Sequence, residues 1–326
     1  MTPLEPSAIH ARKRPVAVAS MFVAELAWAL VVATPVYEWA RRAWGAHPDG
    51  DAVLFASGGR ALLVWLGQED SGTSVTVRTM LALLVVGTLL LQVPFGALVA
   101  SLAFGREFSA PPAGEAAAPS RRTRALPMAT AWKIGIASWL PLATLLALSI
   151  VVSVIVLTLG GILASLVEGG LTASLGDARR FTLRVVVFAL FAAIAAVLGV
   201  VVDLARAAVV REVGLAHAAG TSAAGWTIML RALRSAMVTA RTRLGRATLG
   251  WTGRATVGIA LVAIGYVAAS ALGGRGGAAL GGLFVIHQAV VLGRVALRAS
   301  WMARALALVA PVQDAREAKR SSAAAL

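Results

Sequence analysis

The stretch Asp203–Arg254, DLARAAVVREVGLAHAAGTSAAGWTIMLRALRSAMVTARTRLGRATLGWTGR, holds eight arginines against one aspartate and one glutamate. Strongly apolar segments flank it on both sides. A basic island between apolar runs reads as a connector between membrane helices, because Lys and Arg are retained on the cytoplasmic side. From Trp226 to Ala247, projection at about 100° per residue separates two faces. Trp226, Met229, Leu230, Leu233, Met237, Ala240 and Leu244 gather on one; Arg231, Arg234, Ser235, Arg241, Thr242 and Arg246 gather on the other. Such a helix lies in a membrane interface or packs back onto membrane helices. Arg231, Arg234, Arg241 and Arg246 are therefore the candidate contacts to anionic lipid.

The flanking runs set the fold class. Hydrophobic residues make up 59% of the 326 and charged residues 14%, far from the roughly 25% charged of a soluble domain. Six runs approach or exceed the roughly 20 residues that cross a bilayer core: about 16–37, 79–104, 141–166, 181–202, 255–272 and 278–299. The expected fold is all-α, a polytopic integral membrane bundle of about six transmembrane helices with interfacial amphipathic helices. Residues 1–15 read as a polar tail, 16–310 as one membrane domain, and 311–326 as a disordered tail. Pro94 is expected to kink the second span, and Trp132, Trp139 and Pro141 to form an interfacial lead-in to the third. His47–Asp51 and the short apolar pieces of Ala52–Gly67 belong to an outer connector, and Gly105–Lys133 to a flexible linker.

Charge gives the orientation. With both termini cytoplasmic, 22 basic residues fall inside and 8 outside, a clear positive-inside bias. This bias and an anionic cytoplasmic leaflet account for the net charge of +15 without nucleic acid. Only three of the thirty basic residues are lysine and alanine is abundant, a composition typical of GC-rich bacterial genomes, so the bacterial inner membrane is the expected location. The partners expected are anionic membrane lipids, with a protein partner or a second copy left open.

Few side chains offer chemistry. Glu25 lies about nine residues into the first span, roughly 13 Å by helix rise, and a carboxylate there must face other helices or a water-filled cavity. Arg294 sits at a comparable depth in the sixth span, and His287 lies two turns farther out. Glu25, His287 and Arg294 are the candidates for a polar path; the alternative is that each is interhelical glue. Asp203 and Arg206, one turn apart, form a candidate pair anchoring the end of the fourth span in the headgroup region. Gly273, Gly277 and Gly281, spaced at four, would let spans five and six approach closely.

There is no cysteine, and no HExxH, GxSxG, P-loop, EF-hand or dinucleotide motif. No cofactor, metal ligand set or catalytic residue is expected, and the reading is non-enzymatic. The hydropathy plan resembles bacterial multi-pass proteins similar to the membrane domain attached to some glycerophosphodiester phosphodiesterases. The resemblance is carried by the Asp-x-x-Arg step at Asp203 and Arg206 leaving a middle span, and by the stretch HPDGDAVLFASGGRALL. It implies only an accessory or transport-related membrane module, since no phosphodiesterase domain is present. Two functions follow: a scaffold, accessory or lipid-interacting module, or a small transporter whose path uses Glu25, His287 and Arg294.

Overall fold

A computed structural model describes residues 2–5, 9–44, 71–106, 124–167, 177–221, 225–272 and 277–324. The helices are α1 (Pro15–Trp44), α2 (Ser71–Leu90), α3 (Gln92–Ala103), α4 (Met128–Leu166), α5 (Asp177–Ala218), α6 (Gly225–Leu272) and α7 (Ala278–Ala324). Short strands β1 (Thr2–Pro3), β2 (Phe104–Arg106) and β3 (Arg124–Ala125) form a small antiparallel sheet in that order. The chain is an all-α bundle with six helical segments long and apolar enough to cross a membrane, α2 and α3 together making the second. The outer connector at 47–67 and most of Gly105–Lys133 lie outside the described residues.

Several helices are far longer than a span. α5 has 42 residues, about 63 Å at 1.5 Å per residue, roughly twice a hydrocarbon core of about 30 Å. The molecule accordingly divides along its length. In the apolar half, side chains such as Val85 (60% exposed), Leu190 (60%) and Ile259 (71%) point outward. Water would make these exposures costly, at about 1.5–3 kcal/mol for each large side chain; hydrocarbon removes the cost. In the basic half the same helices close on a dry core. Phe95, Leu98, Leu102, Phe104, Ile134, Leu142, Leu145, Leu204, Met302 and Leu306 are fully buried there.

The basic half also takes in the residues before the first helix. Leu4 and Ile9 are buried, and the Leu4 amide donates to the Ala103 carbonyl at 2.9 Å. A polar tail is thus corrected to a packed segment. Ala17 and Met21 of α1 are buried as well, while Val16 beside them is exposed. The disordered tail from 311 is also corrected: α7 runs on to Ala324 through Pro311.

Elsewhere the sequence reading is close. Pro94 cannot donate to the Leu90 carbonyl and its ring crowds it, and the second span breaks at Leu91 (φ −65°, ψ −8°). The Gln92 side-chain amide covers the Thr88 carbonyl at 2.9 Å beside the break. The expected lead-in to the third span is instead continuous helix, from Met128 through Pro141 and on past Gly160 and Gly161.

In the apolar half the helices pair as three hairpins, α1 with α2, α4 with α5 and α6 with α7. Each pair is joined by a glycine facing a large side chain: Gly87 under Trp28, Gly160 under Phe191 and Gly293 under Leu261. The indole N–H of Trp28 also donates to the Leu83 carbonyl at 3.2 Å. The glycines Gly277 and Gly281 do not serve this purpose, since neither has a neighbour within 4 Å of its Cβ position. Gly277 instead supplies a positive φ of 65° where α7 begins.

A Cβ at Gly160 would stand 2.6 Å from the Phe191 Cβ, whereas Gly161 has open space. Gly160→Leu is therefore expected to lower the melting temperature of the detergent-purified protein, at a cost of about 1–3 kcal/mol. Gly161→Leu is expected to leave it unchanged, and Phe191→Ala to restore part of the Gly160→Leu loss. Equal melting temperatures for the two leucine variants would refute the zipper.

Candidate functional site

Asp203 and Arg206 do form a pair, at 3.1 Å. They are not at a helix end, because α5 continues to Ala218. The second carboxylate oxygen of Asp203 accepts the indole N–H of Trp301 from α7 at 2.9 Å, a partner the local sequence could not disclose. The Arg206 side chain is buried, and its Nε has no acceptor. One turn before Trp301, the Arg298 guanidinium stacks 4.5 Å from the centroid of the Phe95 ring.

Farther along the basic half, a polar network ties α5 to α6 and α7. Arg211, buried, donates to Asp314 at 2.6 Å and to the side-chain Oε1 of Gln313 at 3.3 Å. The Gln313 amide donates to the Ala208 carbonyl at 3.1 Å and to Glu212 at 3.4 Å. Glu212 pairs with Arg231 at 3.4 Å, and Arg316 donates to the Ser235 hydroxyl at 2.8 Å. Glu212, Arg231, Ser235, Gln313 and Arg316 of this network line a cavity of about 380 Å³. Gln313, Asp314 and Arg316 lie in a polar, Ala-rich stretch that reads as a tail, and Arg211 is one of eight arginines in the basic connector with no local mark of burial. The available signal was phase: Met302, Leu306, Val309 and Gln313 continue one helical face.

The basic amphipathic segment is not a separate surface helix. It is the first half of α6, continuous with the fifth span except for a bend at Arg243 (φ −139°, ψ 22°). Its buried stripe is Ile228, Met229, Ala232, Ser235, Ala236, Thr239 and Ala240. Small residues there allow close approach of α5 and α7, and the Ser235 and Thr239 hydroxyls satisfy themselves on the carbonyls four residues back. Of the apolar face read from the sequence, Met229 and Ala240 are buried, whereas Trp226, Leu230, Met237 and Leu244 are exposed. The four candidate arginines divide accordingly. Arg231 is paired with Glu212 and keeps 37% of its side chain exposed. Arg234, Arg241 and Arg246 are exposed and have no hydrogen bond or ion pair among the described residues.

Glu25 faces a groove of about 640 Å³ lined otherwise by Trp28, Ala29, Val32, Val36 and Tyr37 of α1 with Leu84 of α2. Arg298 and Arg294 are near enough to act on its charge, though no ion pair joins either to Glu25. His287 stands apart, exposed, with its ring beside Gly265 of α6. Of the three polar-path candidates, Glu25 lines this groove and His287 and Arg294 are not among its described lining. Among the described residues no three His, Asp or Glu side chains come together as a metal site. No protein-family model, curated protein or solved structure matches the chain.

Proposed function

We propose that the chain is a non-enzymatic, lipid-interacting scaffold or accessory protein of the bacterial inner membrane, with its basic half on the cytoplasmic side. One observation carries this reading. The first half of α6 exposes Trp226, Leu230, Met237 and Leu244 beside the partnerless Arg234, Arg241 and Arg246. Apolar side chains at the acyl boundary with arginines at the headgroups are what interfacial binding requires. The positive-inside count supports the same orientation.

Each arginine near an anionic leaflet contributes about 1 kcal/mol, so three contribute about 3 kcal/mol, or roughly a hundredfold in binding. Full-length protein exchanged into mixed micelles is expected to retain phosphatidylglycerol over phosphatidylcholine, as read by native mass spectrometry. Replacing Arg234, Arg241 and Arg246 together by alanine is expected to remove most of that preference, and raised salt to weaken it in the wild type. A triple variant with an unchanged preference would dispose of the reading. A transporter would need a shared polar path, and among its three candidate residues Glu25 alone is in the described lining of the groove between α1 and α2.

A further inference from the structure

Arg243 is the residue at which the 48-residue α6 leaves helical geometry (φ −139°, ψ 22°). The break gathers charge. A regular helix, at about 100° per residue, sends Arg241 and Arg243 to nearly opposite sides, about 160° apart. In the protein the six consecutive residues from Arg241 to Arg246 instead line a single concavity of about 580 Å³. The guanidiniums of Arg241, Arg243 and Arg246 therefore belong to one space, which an unbroken helix does not allow.

Their charges are largely unmet. Arg241 and Arg246 have no hydrogen bond or ion pair among the described residues. Arg243 gives one N–H to the Leu308 carbonyl, at 3.5 Å, out of the five that a guanidinium carries. No Asp or Glu is in the described lining of the concavity. Gly245 is in that lining and has nothing within 4 Å of its Cβ position, so a ligand oxygen can approach the main chain there. Other arginines of α6 are engaged elsewhere: Arg231 with Glu212, and Arg254 with the Gly250 carbonyl and the Ser300 hydroxyl.

Three cations around one space without a counter-charge suit an acceptor with several oxygens and more than one negative charge. A terminal phosphate has three acceptor oxygens and a charge of about −1.5 to −2 at pH 7, and the planar fork of a guanidinium matches its geometry. A phosphodiester or a carboxylate offers a single charge.

We infer that the concavity at the α6 break binds a terminal phosphate group, on a lipid headgroup or on a soluble anion, with Arg241, Arg243 and Arg246 as its donors. This site rests on the preceding reading for the exposed arginines of α6 and deepens it, adding Arg243 and leaving out Arg234, which is not in the described lining.

Full-length protein in mixed micelles at about pH 8 is expected to retain phosphatidic acid about tenfold over phosphatidylglycerol by native mass spectrometry, the weight of one added charge-assisted hydrogen bond. No Asp, Glu or His is in the described lining, so the preference is expected to fade below about pH 6 with the second ionisation of the phosphate. Pyrophosphate added to lipid-free micelles gives the soluble arm, read as a rise in melting temperature. Arg243→Gln and Gly245→Leu are each expected to abolish the response that the wild type shows. Gly245→Leu keeps every charge and enters open space, so the melting temperature of that variant without ligand is expected to be unchanged. Arg234→Ala is expected to leave the response in place. A response to phosphatidic acid alone assigns the lipid source, and any response to pyrophosphate adds the soluble one. No response in either arm, its survival in both concavity variants, or an equal loss in Arg234→Ala overturns the proposal. Phosphatidylglycerol retained over phosphatidylcholine with no response in either arm overturns it and leaves the α6 reading standing; the converse result overturns the α6 reading alone.

Discussion

Gly135→Leu is expected to leave almost no monodisperse protein after extraction in mild detergent. A Cβ at this position would stand 2.5 Å from the Val93 carbonyl oxygen and 2.8 Å from the Ala97 amide nitrogen. Both obstacles are backbone, so no rotamer change relieves them. The facing residue is another glycine, Gly96, whose own Cβ would lie 3.0 Å from the Gly135 Cα. α3 and α4 thus touch main chain to main chain in the middle of the buried core. Overpacking a well-filled interior costs about 1–3 kcal/mol where side chains can shift; here the helices themselves must separate, and the cost is expected to exceed about 3 kcal/mol. Gly199→Leu is the control, because Gly199 has nothing within 4 Å of its Cβ position. Size-exclusion profiles of the two variants decide the matter, and a well-folded Gly135→Leu would refute the close contact.

The second large effect is asymmetric. Asp314→Ala is expected to destabilise the protein by about 3 kcal/mol, because it leaves the Arg211 charge buried with only the side-chain Oε1 of Gln313 as acceptor among the described residues. Arg211→Met is expected to cost far less. It removes the buried charge and fills similar space, and Asp314, with 55% of its side chain exposed, can turn to water. Replacing a buried ion by an apolar side chain is often neutral, whereas removing its partner is not. Thermal unfolding in detergent compares the two variants. If Arg211→Met is as damaging as Asp314→Ala, the ion pair itself holds α5 to α7.

The apolar runs were legible because a span has a minimum length and few charges, and both properties are local. Their ends were not. The reading stopped the fourth span at Val202 because Asp203 and Arg206 are charged, yet α5 passes through both. Their charges are met by each other and by Trp301, a contact made ninety-eight residues away in the chain. The same holds for the tail from 311, whose polar residues are ordered by Arg211 and Ser235 of other helices. Within α6 a two-face projection groups the apolar residues but does not say which of them pack: close helix approach selected Met229, Ala232, Ala236 and Ala240 and left Trp226 outward. Glu25 follows the buried Ala17 and Met21 on α1, residue types that look like those of a span and do not announce a packed contact. Its proximity to Arg298 is tertiary and has no local signature.

The packed half draws its buried residues from segments scattered along the whole sequence, from Leu4 to Val309. Trp301, Met302, Leu306 and Val309 are translated only after every apolar run has emerged. The order of synthesis therefore separates two events: hairpins can enter the bilayer one pair at a time, each joined by its own glycine contact. Closure of the dry core, which requires α3, α4, α5, α6 and α7 together, follows as a single late step of biogenesis.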